Sequence, residues 1–311
     1  AIYFGTGHVP MLVFILVNIT FGIAWGVFRP TFSGMMPALL TDEELQKGNA
    51  AVQFVANSAM ISGTAVGGIL VSTIGSSLAL GIDAVTFIIC GLIVFGLRHL
   101  SQASTKKSTI LDDLVHGWKV FLSFPWIVAI VAAFSLIVMC WAAAENVLGP
   151  LIALQKFDGA KTWAIILTVE TFGFVAGSLV GMKIKPKYPM RFLMIVTFSI
   201  SIYIWTLAAP QPVWVIAGAA FLWGLSLDLW GAIWTTALQR EVPREALSRV
   251  SAFDGLGSMI FSPVGLAIAA PMAEWIGITR TLEIFSVLSA VVIAATLCVP
   301  QVWKMQLTAD S

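Results

Sequence analysis

Charge is scarce in this chain: only 11% of its 311 residues are Asp, Glu, Lys or Arg, against about 25% in an ordinary soluble domain. The charges present nearly cancel, 17 basic against 16 acidic. No cationic surface of the kind that holds a phosphate backbone is possible, and nucleic acid is excluded as a partner. Cysteine is almost absent. Cys90, Cys140 and Cys298 all stand inside apolar runs, which excludes a disulfide framework and a zinc site and leaves them as small core residues. The three histidines are scattered, and no His-Glu-x-x-His, Gly-x-Ser-x-Gly or phosphate-loop pattern occurs. Hydrolase and ATPase chemistry therefore have no residues to carry them, so the chain is not read as an enzyme and no metal or cofactor is expected.

What the chain has in quantity is apolar length. Hydrophobic residues make up 59% of it and its mean hydropathy is +0.94, more than one or two membrane anchors can supply. Apolar runs lie at 9–37, 50–74, 78–97, 126–151, 162–182, 190–209, 212–236, 251–273 and 279–303, each long enough to cross a hydrocarbon layer. A lipid-exposed backbone has no water to satisfy its amides, and the short alternating segments of a membrane barrel are missing. The expectation is an all-α, polytopic membrane helical bundle of nine spans, with the lipid bilayer as its first partner.

Lys and Arg set its orientation, because basic loops stay in the cytoplasm. One alternate set of loops holds Lys47, Arg98, Lys106, Lys107, Lys119, Lys183, Lys185, Lys187, Arg191, Arg240, Arg244, Arg249 and Lys304, whereas the other holds Lys156, Lys161 and Arg280. The C-terminus is thus expected in the cytoplasm and residue 1 outside. The long polar interval 98–125 carries Ile110, Leu111, Leu114, Val115, Trp118, Phe121 and Leu122 at helical spacing. It reads as an amphipathic helix that either lies on the cytoplasmic face of the membrane or packs on the bundle as a linker.

The chain also resembles itself at an offset of 202 residues. Leu40-Thr-Asp-Glu-Glu-Leu-Gln-Lys-Gly-Asn-Ala50 lies over Val242-Pro-Arg-Glu-Ala-Leu-Ser-Arg-Val-Ser-Ala252, and the same offset pairs Gly22 with Gly224, Gly63 with Gly265 and Gly75 with Gly277. Spans one to three therefore match spans seven to nine, the parallel repeat from which one large class of secondary transporters is built. Partners for spans four to six would lie about 75 to 80 residues before Ala1. The expectation is nine helices of twelve, divided as 1–97, the remnant of an N-terminal half; 98–125, a cytoplasmic linker; 126–303, a C-terminal six-helix half; and 304–311, a cytoplasmic tail.

Pro37-Ala-Leu-Leu-Thr-Asp-Glu-Glu-Leu-Gln-Lys-Gly-Asn-Ala50, its second copy Gln239-Arg-Glu-Val-Pro-Arg-Glu-Ala-Leu-Ser-Arg-Val250 and the interval Leu111-Asp-Asp-Leu-Val-His-Gly-Trp-Lys-Val-Phe-Leu-Ser-Phe-Pro125 resemble the major facilitator superfamily. Within it they are similar to the branch of bacterial exporters that includes the enterobactin and macrolide carriers. The superfamily's Gly- and Arg-rich loop after its second helix has no counterpart here. The resemblance implies a multi-pass protein of the bacterial cytoplasmic membrane that exports a small amphipathic molecule, a drug or siderophore, by alternating access and proton antiport, as a monomer. An importer or facilitator on the same fold and a non-transporting fragment are the alternatives.

Charges inside spans cost about 2.5–3.5 kcal/mol each on insertion scales and so need a partner, water or a task. Arg29, Glu145, Glu170 and Asp228 stand out. The resemblance places Arg29, Glu145 and Asp228 on helices that line the central cavity, with Glu170 one step removed. Arg29 and Asp228 stand at similar depth before their repeat-related loops, so they are expected to face each other as a gate, as a site for a charged substrate or as a permanent ion pair. Glu145 or Asp228 is expected to carry the coupling proton, with Glu170 as the weaker candidate. Asp83 and Asp254, near span ends, read as capping or interfacial. Trp126, Trp163, Trp214, Trp275 and Trp303 fall at span ends as an interfacial belt. Trp141, Trp223, Trp230 and Trp234 lie deeper; Trp223, Trp230 and Trp234 share a helix with Asp228, where they either receive a bulky, partly apolar or cationic ligand or simply pack. Gly173, Gly177 and Gly181 form a small-residue stripe that permits close helix approach.

Overall fold

A computed structural model describes residues 11–41, 43–96, 110–209 and 211–306. Every regular element among them is a helix: α1 (Met11–Leu39), α2 (Leu45–Gly96), α3 (Ile110–Leu122), α4 (Pro125–Ala143), a π-helical turn (Ala144–Leu148) that leads into α5 (Gly149–Lys156), α6 (Ala160–Gly181), α7 (Pro189–Ala208), α8 (Val213–Glu241), α9 (Arg244–Met259), α10 (Ser262–Ile276), α11 (Ile278–Leu297) and α12 (Pro300–Lys304). Proline opens α4, α7, α10 and α12, where its missing N–H removes a donor that the first turn leaves unpaired in any case. Ahead of α2 the Thr41 amide and hydroxyl both donate to Glu44 Oε2, at 3.2 and 2.8 Å. Those bonds hold the exposed Glu44 carboxyl below the usual carboxylate range.

Seven helical stretches among the described residues are long and apolar enough to cross a membrane: Ser77–Gly96, Pro125–Lys156, Ala160–Gly181, Pro189–Ala208, Val213–Glu241, Arg244–Ile276 and Ile278–Leu297. The chain is a multi-pass membrane protein. The expected spans at 9–37 and 50–74 are not among these seven; both run through positions whose side chains lie outside the described residues. The span expected at 251–273 is two helices, α9 and α10, that share one crossing.

The internal repeat is visible in the backbone. Shifted by 202 residues, the end of α1 at Leu39 falls on the end of α8 at Glu241. The break inside α2 at Gly75 (φ 82°, ψ 161°) has its mate at Gly277 (φ 91°, ψ 149°), between α10 and α11. Both glycines adopt a conformation that side chains disfavour strongly, so the same turn is made by the same residue in each copy.

The core lies in the C-terminal half, where α4 packs on α9, α10 and α11, and α7 on α8 and α11. Trp223, Tyr203 and Phe285 are its largest fully buried side chains. The closest crossing is that of α6 with α8. A Cβ on Gly173 or Gly177 would overlap the Phe221 or Leu225 carbonyl oxygen, and one on Gly224 would overlap that of Glu170. The small-residue stripe thus meets a reciprocal glycine, and the two backbones touch.

The helix α3 packs on the bundle. Phe121 is buried, Trp118 stacks on it with ring centroids 5.5 Å apart, and both rings meet Phe253 of α9. A Cβ on Gly117 would stand 2.8 Å from Arg249 Cβ, so α3 sits tightly against α9.

Candidate functional site

Glu145 stands in the π-helical turn that interrupts the crossing Pro125–Lys156. A π turn adds a residue to the turn, and such turns recur at functional positions. One turn earlier, Trp141 Nε1 donates to Glu145 Oε2 at 2.6 Å. From α6, the Glu170 carboxyl lies near the Glu145 carboxyl. Glu145 is half-buried, whereas Glu170 is only 2% exposed. The Gly224 crossing is what sets Glu170 at this depth, because it brings the α8 backbone against the Glu170 carbonyl.

Three polar atoms around this pair are buried without a partner among the described residues: Glu170 Oε1, Trp223 Nε1 and Tyr203 Oη. The Trp223 ring lies 6.1 Å from that of Trp141, and Tyr203 is close enough to feel both carboxyl groups. One free acceptor and two free donors in an apolar interior mark a place built for more than packing, since a buried polar group left unpaired is costly.

Asp228 lies elsewhere, where α8 meets α2 and α6. Its Oδ1 accepts from Asn57 Nδ2 at 2.8 Å, and its Oδ2 is buried without a partner among the described residues. Gly177 permits this approach, for a Cβ there would stand 2.9 Å from Asp228 Cβ. Arg29, the other member of the expected pair, is helical in α1, but its side chain lies outside the described residues.

Trp230 and Trp234 do not share the Asp228 face. Two and six residues along a helix are rotated by about 200° and 240°, to the far side. Trp230 Nε1 donates to Thr197 Oγ1 of α7 at 2.5 Å, and Trp234 Nε1 to Asp254 Oδ2 of α9 at 2.9 Å. With Trp126 and Phe134 they form an aromatic column inside the C-terminal half. Asp254, expected as capping or interfacial, is a mid-helix acceptor that ties α9 to α8. Trp126 and Trp163 also turn inward, the latter over Gly149, while Trp214, Trp275 and Trp303 remain exposed at helix ends.

Sequence reasoning passed over four residues of α2. Gln46, Asn49, Gln53 and Asn57 share one helical stripe and face α6 and α8. Their signal was legible: four carboxamides at spacings of three, four and four in a helix otherwise rich in apolar residues.

The family model of the Major Facilitator Superfamily matches residues 1–265. The chain belongs to the Major Facilitator Superfamily. It is similar to Macrolide efflux protein A of Streptococcus pyogenes, 22% identical over 283 residues that cover 88% of this chain and 69% of that one. It is also similar to the MFS-type transporter YkuC of Bacillus subtilis, at 26% identity over 71% of this chain and 54% of that one. The multidrug efflux pump Tap of Mycolicibacterium fortuitum is 20% identical over 76% of this chain and 59% of its own length. The chain thus spans from about half to about two thirds of the curated relatives it matches. Membership in this superfamily of transporters agrees with a bundle built of apolar crossings.

Proposed function

We propose that this superfamily member is an exporter of small amphipathic molecules, working by alternating access and coupled to protons at the Glu145–Glu170 pair. The observation that carries the coupling is the meeting of two carboxyl groups from different helices in an apolar interior. Two carboxyl groups that share an apolar site do not both ionise, so one of them carries the proton. Glu145, half-buried, connects the pair with water, and Glu170, sealed behind it, keeps the proton off the bulk phase. Movement of α6 against the π-helical turn would part the two groups, hydrate them and let the proton leave.

Export as the direction is supported by the two relatives whose names include efflux. The repeat supports reading α1 and the first part of α2 as crossings too, which gives nine helices in this chain. The distribution of Lys and Arg supports a cytoplasmic C-terminus and a bacterial cytoplasmic membrane as the location. Asp228 is a second acidic position on the path, at the join between the two halves.

Ethidium and a macrolide are suitable probes. Cells carrying Glu145→Gln or Glu170→Gln should lose the pH-dependent part of export, and the double variant should be no worse than either single one, because paired groups act as a unit. If both single variants export with the unaltered pH profile of the parent, the pair does not carry the coupling proton.

A further inference from the structure

The four carboxamides of α2 make a ladder that runs antiparallel to α8. Gln46 Nε2 donates to the Gly181 carbonyl at 2.8 Å and also to the Ile184 carbonyl, at the end of α6. Asn49 Nδ2 donates to Thr236 Oγ1 at 2.9 Å and to Gln239 Oε1 at 2.7 Å. Gln53 fills the space above Gly231, where a Cβ would overlap its Nε2. Asn57 closes the series on Asp228. The positions met on α8 descend from 239 through 236 and 231 to 228 as those on α2 rise from 49 to 57.

Three features separate this ladder from ordinary helix packing. It joins segments some 130 to 190 positions apart, across the two repeat-related parts of the chain. It is confined to one end, the end that carries Lys47, Lys183, Lys185 and Arg240. One turn beyond Asn57 the stripe changes to Met60 and Ile61, which are 48% and 40% exposed. Its rungs are neutral amides with hydroxyl, carbonyl and amide acceptors, and its innermost rung alone uses a carboxylate. Bonds of this kind are modest singly and reversible together, because each partner can be satisfied by water once the faces part.

We propose that the ladder Gln46–Asn49–Gln53–Asn57 is the gate that shuts the basic end of the transport path, with Asn57 on Asp228 as its innermost rung. Its members are positioning residues: they hold two halves together in one state and must separate in the other. The structure is then the state closed at the basic end. This proposal rests on the transporter reading for the cycle it serves, but not on the coupling proton.

The test pairs Gln53→Cys with Gly231→Cys in the full chain in membrane vesicles. Gln53 Cγ lies 3.7 Å from where a Cβ of residue 231 would stand, so a sulfur there is in reach of a short cross-link. Oxidation should give an intramolecular disulfide, seen as protection from a mass-tagged maleimide, and should arrest ethidium export until a reductant restores it. Gln53→Cys alone should do neither. Independently, Asn49→Ala removes two bonds of the ladder and should raise alkylation of a cysteine placed at the buried position Ala50 about tenfold; Asn49→Gln should restore part of the protection. The absence of a cross-link above the single-cysteine background, unchanged alkylation, or export at the parental rate by the cross-linked protein would each overturn the gate. If the parent exports neither ethidium nor a macrolide, the transport reading falls, while cross-linking and alkylation still report on the ladder.

Discussion

At Glu145 the hydrogen bond from Trp141 and the contact with Glu170 divide the work of one carboxyl group. Trp141 Nε1–H is a fixed donor, so it holds one Glu145 oxygen in place. Trp141→Phe keeps a smaller ring against Trp223 and deletes the donor. It should cost about 1 kcal/mol or more, the net worth of a typical hydrogen bond, measured as a lower melting temperature in detergent. Added to Glu145→Gln it should cost less than it does alone, because the group it positions is already altered. Equal costs in both backgrounds would show that the ring and not the donor matters. That Glu145, Glu170 and Asp228 deserved notice was readable from composition, since each is a charge where charge is expensive. That two of them meet and the third does not was not readable. A crossing that is apolar all round shows no face, and the π-helical turn shifts every later position of its helix by one residue's rotation, which spacing alone does not reveal. The same blindness joined Trp230 and Trp234 to Asp228, although Thr197 and Asp254 draw them to the other side.

Among helices, the α6–α8 crossing sets the depth of both acidic positions. Gly173, Gly177 and Gly224 hold the backbones in contact, so Gly173→Ala or Gly224→Ala must push them apart. Each should cost about 1–3 kcal/mol, as overpacking in a tight core does, and should also disturb the Glu170 contact. Gly218→Ala on the same α8 is the control. Nothing lies within 4 Å of its added methyl, and alanine favours a helix over glycine, so it should be neutral or slightly stabilising. Gly277→Ala tests a different cause. No neighbour crowds that residue, but its φ of 91° strains any side chain, for about 1–3 kcal/mol. Thermal unfolding of the four variants in one detergent separates crowding from strain. The stripe of α6 and the repeat-related glycines were legible as a pattern of small residues at fixed spacing. Their reciprocal partner Gly224 was seen only as a repeat mate of Gly22, because a close crossing depends on two helices and a sequence displays one at a time. The break of α9 from α10 was likewise hidden, since both pieces are apolar enough to read as one run.

For the whole molecule, the side on which the ladder lies decides what the closed end means. α6 connects the two sides in one crossing of 22 residues, about 33 Å at 1.5 Å per residue, enough for a hydrocarbon core of about 30 Å. Lys161 stands exposed at its start, and Lys185 stands exposed just after its end, beside the rung made by Gln46. The Lys and Arg distribution puts the Lys185 side in the cytoplasm. A cysteine replacing Lys161 should therefore react with a membrane-impermeant maleimide on intact cells, and one replacing Lys185 should react only after the cells are opened. With that result the ladder closes the cytoplasmic end, and the molecule described is poised to release toward the exterior, the conformation an exporter reaches after loading. The reverse labelling would place the ladder outside and make the same structure an inward-facing state. The gate would survive such an outcome, but the proton at Glu145 would then be taken up and released on opposite sides from those an exporter needs.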